Sequence, residues 1–152
     1  MAGIEFVRAP YGHVRLDAEG GLVREVSLRR GAAPDRGASR LAADLRRYLA
    51  GERVNFSSYK IDFSGYTPFE RAVLEATRRI PDGETRTYGD IARAIGKPGA
   101  ARAVGQALGK NRTCIVIPCH RVVGSNGLGG FSGGLDWKRA FLKLEGTPDP
   151  GR

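Results

Sequence analysis

The sequence predicts an α+β fold, in which a small N-terminal antiparallel sheet with one helix precedes a mainly helical, winged helix-turn-helix-like part. Two observations lead to this prediction. Short β-branched runs alternate with glycine turns in the first third of the chain, whereas capping residues and helical periodicity mark the second half. We expect residues 1–63 to form a sheet-and-helix domain and residues 67–152 a helix-turn-helix domain, joined by a linker at residues 64–66.

The N-terminal domain is predicted from three short extended runs separated by glycine turns, which indicates an antiparallel meander. The three runs are residues 4–8, 13–17 and 22–28. Ser39 can then cap an amphipathic helix that ends at Gly51. Its predicted apolar face consists of Leu41, Leu45, Tyr48 and Leu49. Residues 54–63 are predicted to be a further extended stretch.

Three consecutive helices are predicted at the beginning of the second half, each with a recognisable start. The first begins at Thr67-Pro68-Phe69-Glu70, which combines an N-cap threonine, a proline at the first helical position and a capping-box glutamate. Thr87 caps the second helix, residues 88–95, and Lys97-Pro98-Gly99 leads into the third, residues 100–108. Two short helices joined by so tight a connection are typical of a helix-turn-helix.

The third predicted helix opens with unusually small side chains, in the run Ala100-Ala101-Arg102-Ala103-Val104-Gly105. Small residues let a helix backbone approach a nucleic-acid groove; the alternative is tight packing against a neighbouring helix, which the pattern favours less. Arg102 favours the first interpretation, because a long cation near the helix start can reach a phosphate or a base. A net charge of +9 also favours a polyanionic partner such as DNA, although a generally basic proteome would give the same charge.

A cysteine beside a histidine follows this helix, in the stretch Ile117-Pro118-Cys119-His120-Arg121-Val122. A thiolate attacks soft alkyl carbons readily, and a neighbouring base raises the thiolate fraction. A buried structural cysteine is the alternative. Residues 115–118 are predicted to be a short strand, which would hold Cys114 and Cys119 about 16 Å apart, too far for a disulfide. We therefore expect two thiols, and the histidine and cysteine spacings predict no metal site.

A glycine-rich loop comes next, with six glycines among residues 124–134. Such a loop can be a plain flexible connection, or it can be a pocket wall whose backbone amides approach a flat ring. The closing helix, residues 135–145, is predicted to turn Trp137, Phe141, Leu142 and Leu144 inward.

The chain has the composition of an ordinary globular protein, with 41% hydrophobic and 27% charged residues. No apolar run approaches the roughly 20 residues that span a bilayer, and the N-terminus lacks a signal-peptide core. We therefore expect no membrane association and a cytoplasmic location, at the nucleoid if the source is prokaryotic.

A set of motifs in a fixed order resembles the O6-alkylguanine-DNA alkyltransferases, or methylated-DNA–protein-cysteine methyltransferases. The motifs are Thr67-Pro68-Phe69, Ile80-Pro81-Asp82-Gly83-Glu84-Thr85, Arg102-Ala103-Val104-Gly105, Asn111, Pro118-Cys119-His120-Arg121-Val122, Phe131-Ser132-Gly133-Gly134 and Glu145. The resemblance is dense over residues 67–145, more than half of the chain. The N-terminal part is similar only in its sheet-and-helix architecture.

The resemblance implies direct DNA repair by irreversible, stoichiometric transfer of the alkyl group from O6-alkylguanine, and from O4-alkylthymine, in duplex DNA. By its position Cys119 would accept the group in a single turnover. His120 would act as base through a bridging water, because adjacent side chains on an extended strand point to opposite sides. Glu145 would orient the imidazole, and Asn111 would tie the helix-turn-helix to the active-site strand. Neither a cofactor nor a metal is implied, and we expect a monomer.

The resemblance also assigns residues to DNA and to the alkylguanine. The implied DNA-binding residues are Thr87, Tyr88, Arg102, Ala103, Gly105, Lys110 and Ser125. Tyr88 would press on the phosphate during nucleotide rotation, and Arg102 would fill the place of the flipped base. The implied pocket residues are Pro118, Val122, Phe131, Ser132 and Gly133. Phe131 stands where the family has a tyrosine hydroxyl near the leaving oxygen, so Ser132 or the backbone amides of Ser132 and Gly133 would have to serve.

Other functional classes are consistent with parts of the sequence. A non-catalytic helix-turn-helix protein that binds alkyl lesions is the principal alternative, but such proteins carry tryptophan at the position of Cys119. A helix-turn-helix transcription factor has no need of Cys119-His120 with Glu145 downstream. A cysteine hydrolase would need an acyl pocket, for which no motif is present.

Overall fold

The structure, a computed structural model, describes residues 3–148 and divides into two compact units. The first unit comprises the chain up to Asp62 together with Arg112–Val116, and the second comprises Phe63–Asn111 and the chain from Ile117. The expected α+β class is confirmed. The second unit differs from the expected domain 67–152 because Arg112–Val116 lies in the first. The expected domain ends at residues 1 and 152 lie outside the described residues.

The first unit contains the predicted antiparallel meander, formed by β1 (Gly3–Ala9), β2 (Gly12–Glu19) and β3 (Leu22–Arg29). Val7 pairs with Val14 and Leu16 with Val26, and all four side chains are buried, because alternate residues of each strand face the core. The turn from β1 to β2 requires glycine at position 12, where a Cβ would lie 2.0 Å from the carbonyl oxygen of Arg29.

The predicted amphipathic helix is present as α1 (Arg40–Leu49), which packs against β1. The Ser39 hydroxyl caps it by accepting a hydrogen bond from the backbone amide of Ala42 at 3.0 Å. Leu41, Leu45 and Tyr48 are buried as expected.

The extended stretch expected at residues 54–63 is wrong except for β4 (Lys60–Ile61), which pairs in parallel with β3. Local hydrogen bonds turn the preceding backbone instead. The Asn55 side chain accepts from the amide of Ser57 at 2.9 Å, and the Phe56 carbonyl accepts from the amide of Tyr59 at 3.2 Å. An asparagine side chain that bonds to the backbone two residues on offers an alternative to a strand ladder, which explains the shorter strand.

The strand predicted at residues 115–118 is also wrong. Only the residues before it pair with the sheet, because the Val26 amide donates to the Arg112 carbonyl at 2.8 Å and the Cys114 amide donates to the Val26 carbonyl at 2.9 Å. The chain then turns at Ile115, whose φ is 73°, and the Val116 amide donates to the Cys114 carbonyl at 2.8 Å. The β-branched residues of this run are therefore explained by burial and not by an extended backbone, since Ile115 and Val116 are each 2% exposed.

The second unit begins with α2 (Pro68–Arg78), which is capped as predicted. The Thr67 hydroxyl accepts from the Glu70 amide at 3.1 Å, and the Glu70 carboxylate accepts from the Thr67 amide at 3.0 Å. A second capping box, formed by Thr87 and Asp90, starts α3 (Tyr88–Ala94). The predicted helix-turn-helix consists of α3 and α4 (Ala101–Leu108), and both pack against α2.

Two short strands that the sequence did not predict organise the rest of the second unit. β5 (Arg86–Thr87) pairs in parallel with β6 (Val122–Val123), and an isolated bridge joins Gly124 to Gly127 at the start of the glycine-rich loop. Because β5 runs directly into α3, this pairing holds the start of the helix-turn-helix beside the chain that follows Cys119. The closing helix is α5 (Leu135–Leu144). Within residues 3–148, the helices are all too short or too polar to cross a membrane.

The capping box of α2 leads to a stability prediction. Thr67→Ala removes the acceptor for the Glu70 amide and should lower the free energy of unfolding by about 1 kcal/mol. Thr67→Ser keeps the hydroxyl and should remain within about 0.5 kcal/mol of the wild type. Urea unfolding followed by circular dichroism measures both values, and equal losses in the two variants would show that the hydroxyl bond is unimportant.

Candidate active site

Cys119 lies on a single 3₁₀ turn, Cys119–Arg121, where an extended strand was expected. Its amide donates to the Ile117 carbonyl at 2.8 Å, and the residue is 7% exposed. Cys119 and His120 are therefore successive residues of a turn, and the expectation that they point to opposite sides of a strand is wrong. Cys114 and Cys119 are both buried thiols, as expected.

The imidazole of His120 is completely buried and bonded to Glu145. His120 Nε2 lies 2.7 Å from Glu145 Oε2, and the carboxylate is supplied by the residue at the C-terminal end of α5. The ring packs edge-on against Phe141 with 5.3 Å between centroids. Because Phe141 precedes Glu145 by one helical turn, α5 supplies both the polar and the apolar partner of the imidazole.

Arg121 binds the same carboxylate from the other side. Its Nε donates to Glu145 Oε1 at 2.9 Å and its Nη2 to Oε2 at 3.1 Å, while Nη1 donates to the Ile80 carbonyl at 2.6 Å. This paired geometry is the favourable one for a guanidinium and a carboxylate. Sequence reasoning placed Arg121 in the motif but assigned it no role.

Burial and charge set the ionisation of this cluster. Burial raises the pKa of the Glu145 carboxyl, but the hydrogen bonds and charges of His120 and Arg121 outweigh it and lower the pKa to about 2. Burial lowers the pKa of His120, the Glu145 carboxylate raises it, and the charges of Arg121 and Lys138 lower it further, with a net lowering. Glu145 is therefore ionised and His120 neutral near pH 7. The neutral imidazole carries its proton on Nε2, because the carboxylate can only accept.

Lys138 is a second buried cation that sequence reasoning missed. Its Nζ donates to the carbonyls of Val122 at 2.7 Å and Gly130 at 2.8 Å, and the residue is 0% exposed. Burial lowers the pKa of Lys138 to about 8, and the charge of Cys119 raises it in part. The available signal was its position on α5, three and four residues before Phe141 and Leu142 and so on the predicted inward face.

The glycine-rich loop is held against Tyr88, the first residue of α3. The Gly130 amide donates to the Tyr88 hydroxyl at 3.0 Å. At Gly129, where φ is 75°, a Cβ would lie 2.5 Å from the same oxygen, so the loop can approach the ring only with glycine there. Phe131 packs edge-on against Phe141 at 6.5 Å between centroids, and Ser132 is exposed.

The residues predicted to form the pocket lie on two elements of the second unit. Pro118 and Val122 flank the 3₁₀ turn and are buried. Phe131, Ser132 and Gly133 lie in the glycine-rich loop, which the Lys138 bond to Gly130 ties to α5. Among the described residues, no group of three or more His, Cys, Asp or Glu side chains could hold a metal ion.

The residues predicted to contact DNA are distributed over the helix-turn-helix and the loop. Arg102 is exposed on the first turn of α4, and Ala103 and Gly105 follow it on the same helix. Ser125 is exposed in the glycine-rich loop. Thr87 caps α3, so its hydroxyl is already an acceptor within the helix. Lys110 is exposed, and its Nζ donates to Glu70 Oε2 at 2.7 Å.

Asn111 is the last residue before the chain leaves the second unit, and Ile117 is the first residue after the chain returns to it. A hydrogen bond joins these two residues. Asn111 Nδ2 donates to the Ile117 carbonyl at 3.0 Å, and the five residues between them belong to the first unit. The same Ile117 carbonyl accepts from the amide of Cys119. Asn111 therefore connects the end of α4 directly to the backbone that holds the thiol.

Comparison with known proteins agrees with this geometry. The model of the 6-O-methylguanine DNA methyltransferase DNA-binding domain matches residues 68–147. A methylated-DNA–protein-cysteine methyltransferase of Mycobacterium tuberculosis is 50% identical over 119 residues, covering 77% of this chain and 71% of the relative. The corresponding Mycobacterium leprae protein is 40% identical over 147 residues, covering 90% and 88%. The crystal structure of Mycobacterium tuberculosis OGT in complex with DNA is similar with a TM-score of 0.82 at 42% identity, covering 93% of this chain and 91% of that chain. The chain therefore belongs to the methylated-DNA–protein-cysteine methyltransferase family.

Proposed function

We propose that this protein repairs duplex DNA by transferring the alkyl group of O6-alkylguanine, and of O4-alkylthymine, irreversibly to the sulfur of Cys119. A carbon–sulfur bond forms as the bond between the alkyl carbon and O6 breaks, and the guanine is restored in place. The observation that carries the proposal is a buried cysteine followed directly by a buried histidine whose ring is bonded to a carboxylate. A thioether cannot be hydrolysed by this machinery, so each molecule acts once.

His120 is the base that activates the thiol. Its Nε2 proton is committed to Glu145, so Nδ1 is the ring nitrogen that can accept the Cys119 proton, through a bridging water. The carboxylate fixes the tautomer and stabilises the imidazolium that forms. Asn111 holds the backbone of this site through the Ile117 carbonyl.

Lys138 favours the reactive form of the cysteine. The charge of Cys119 raises the pKa of Lys138, and by reciprocity the ammonium group stabilises the thiolate. The two carbonyls that accept from the ammonium belong to Val122, a predicted pocket residue, and to Gly130, which directly precedes the predicted pocket residue Phe131. The cation is thus bonded to both chain segments that carry the predicted pocket residues.

The departing guanine develops negative charge that needs a proton or a hydrogen bond. Phe131 cannot supply one, and its ring packs on Phe141. The amides of Ser132 and Gly133, or the Ser132 hydroxyl, take this role, with Pro118 and Val122 forming the opposite wall. The glycines of the loop let these amides approach a flat base.

DNA binds through the helix-turn-helix. Ala103 and Gly105 of α4 are among the residues that contact DNA, Arg102 enters the stack in place of the flipped nucleotide, and Tyr88 presses on the phosphate. Thr87, Lys110 and Ser125 contact the backbone. Extrusion of a base costs a few kcal/mol, so a side chain that fills the gap stabilises the flipped state.

We also propose a domain organisation, an oligomeric state and a cellular location for this protein. The sheet-and-helix part and the helix-turn-helix part act as two domains of one monomer, and the protein works in the cytoplasm, on nucleoid DNA if the cell is prokaryotic. The alternative, a lesion-binding protein without chemistry, is disfavoured because such a protein has no use for a thiol beside a buried histidine–carboxylate pair.

The function predicts a covalent product on one cysteine. After incubation with duplex DNA containing O6-methylguanine, the intact mass of the wild-type protein should increase by one CH₂. Cys119→Ser should abolish the increase while retaining DNA binding, because the helix-turn-helix is a separate element.

Cys114→Ser is the matched control, since it removes the other buried thiol. It should acquire the methyl group as the wild type does, because Cys114 belongs to the first unit and is not part of the Cys119–Arg121 turn. Transfer that persists in Cys119→Ser and disappears in Cys114→Ser would contradict the assignment.

The base-flipping role predicts a substrate-dependent loss. Arg102→Ala should slow repair of O6-methylguanine in duplex DNA much more than reaction with free O6-benzylguanine, which requires no extrusion. Rates of alkyl transfer measured on the two substrates test this prediction. Equal losses on both would assign Arg102 to the pocket or to folding.

The missing hydroxyl at position 131 predicts a faster variant. Phe131→Tyr should raise the transfer rate by up to about tenfold, which corresponds to one hydrogen bond of about 1.4 kcal/mol. Single-turnover kinetics with O6-benzylguanine measure this change. An unchanged rate would indicate that Ser132 or the loop amides already satisfy the leaving oxygen.

A further inference from the structure

Arg121 places a permanent positive charge on the carboxylate that orients His120. The guanidinium donates twice to Glu145, at 2.9 and 3.1 Å, and once to the Ile80 carbonyl just beyond α2, at 2.6 Å. The Arg121 side chain is 11% exposed, and that of Glu145 is 3% exposed. The interaction is therefore poorly screened by solvent, unlike an ion pair at the protein surface.

A buried carboxylate bonded only to an imidazole would favour the imidazolium form, because the opposite charge stabilises it. An imidazolium cannot accept the proton of a thiol. A base of this kind therefore needs a carboxylate that orients the ring without holding it protonated, and a second cation on the same carboxylate meets both requirements.

We propose that Arg121 is a positioning residue that keeps His120 neutral by offsetting the charge of Glu145, while its bond to Ile80 fixes the carboxylate in place. This inference rests on the proposed function for the role of His120 as a base. It adds that Cys119, His120, Glu145 and Arg121 form a four-residue arrangement. Within it Arg121 acts through Glu145 and His120 without touching the alkylated base.

The charged groups facing His120 agree with this assignment. Glu145, at the end of α5, favours the protonated ring, whereas Arg121, on the same 3₁₀ turn, and Lys138, on α5, favour the neutral ring. Cys119 is the adjacent titratable group on the turn. Phe141 contributes only an apolar edge. Removal of Arg121 would leave Lys138 as the remaining named charge that favours the neutral ring.

The test compares variants that separate charge from hydrogen bonding. Arg121→Gln keeps an amide donor for Glu145 and removes the charge, whereas Arg121→Lys keeps the charge and loses the paired geometry. His120 is titrated by NMR of ring-labelled histidine, and His13, the other histidine in the chain, serves as reference in each spectrum. The titration midpoint of His120 should rise by about 1 to 3 pH units in Arg121→Gln and remain near the wild-type value in Arg121→Lys.

Two further variants control for loss of charge in general and for the dependence of the effect on Glu145. Lys143→Gln removes an exposed cation from the last turn of α5 and should leave the His120 midpoint unchanged. Arg121→Gln combined with Glu145→Gln removes both opposed charges and should return the midpoint to the wild-type value or below. Equal midpoints for Arg121→Gln and Arg121→Lys, or a raised midpoint in the double variant, would overturn the proposal.

The rate of reaction with free O6-benzylguanine provides a second readout. Loss of a nearby positive charge favours the protonated forms of the site, so the acidic limb of the rate profile should move to higher pH in Arg121→Gln. Below the new midpoint the rate should fall by about tenfold for each pH unit, and above it the rate should recover. A loss that is equal at every pH would indicate a purely structural role.

The two proposals fail in distinguishable ways. If the wild-type protein transfers no alkyl group, the proposed function is wrong, whereas the His120 titration still reports whether Arg121 offsets Glu145. If transfer to Cys119 occurs and the His120 midpoint is the same in the wild type and in Arg121→Gln, only the inference about Arg121 is wrong.

Discussion

The arrangement of the second unit depends on one buried carboxylate. Glu145 accepts hydrogen bonds from His120 and Arg121, and its oxygens are almost completely withdrawn from solvent. An unpaired charge in such a position would be strongly destabilising, so the two donors stabilise the packing of the end of α5 against the 3₁₀ turn. The same pairing fixes the imidazole beside Cys119. Stability and chemistry therefore depend on the same bonds.

Several contacts hold the elements around this cluster in place. The parallel pairing of β5 with β6 holds the start of α3 beside the turn, and Asn111 connects the end of α4 to the Ile117 carbonyl. Lys138 ties α5 to the glycine-rich loop. Each connection joins part of the helix-turn-helix or the loop to the backbone around Cys119. DNA bound at α4 and a base in the pocket would thus be positioned by the elements that also orient the thiol.

Local signals in the sequence predicted local structure well. The caps at Ser39, Thr67 and Thr87 were identifiable because each depends on residues within three positions. Strand prediction failed at residues 115–118, because a β-branched run looks the same in the sequence whether it forms a strand or a buried turn. The strands β5 and β6 were missed, because two residues are too few to show an alternating pattern. The pairing of His120 with Glu145 spans 25 residues and came from family resemblance. Arg121 and Lys138 were given no role, because the partners that show what a buried cation does lie far away in the sequence. For Lys138 the position on the predicted inward face of α5 was the one usable signal.

His120 rests as a neutral ring with its proton on Nε2, so that Nδ1 can accept the proton of Cys119. Nitrogen NMR of histidine-labelled wild-type protein at neutral pH measures this directly, because the two ring nitrogens have different shifts in each tautomer and in the imidazolium. We expect a protonated Nε2 and an unprotonated Nδ1 for His120. An imidazolium, or a ring protonated on Nδ1, would contradict it.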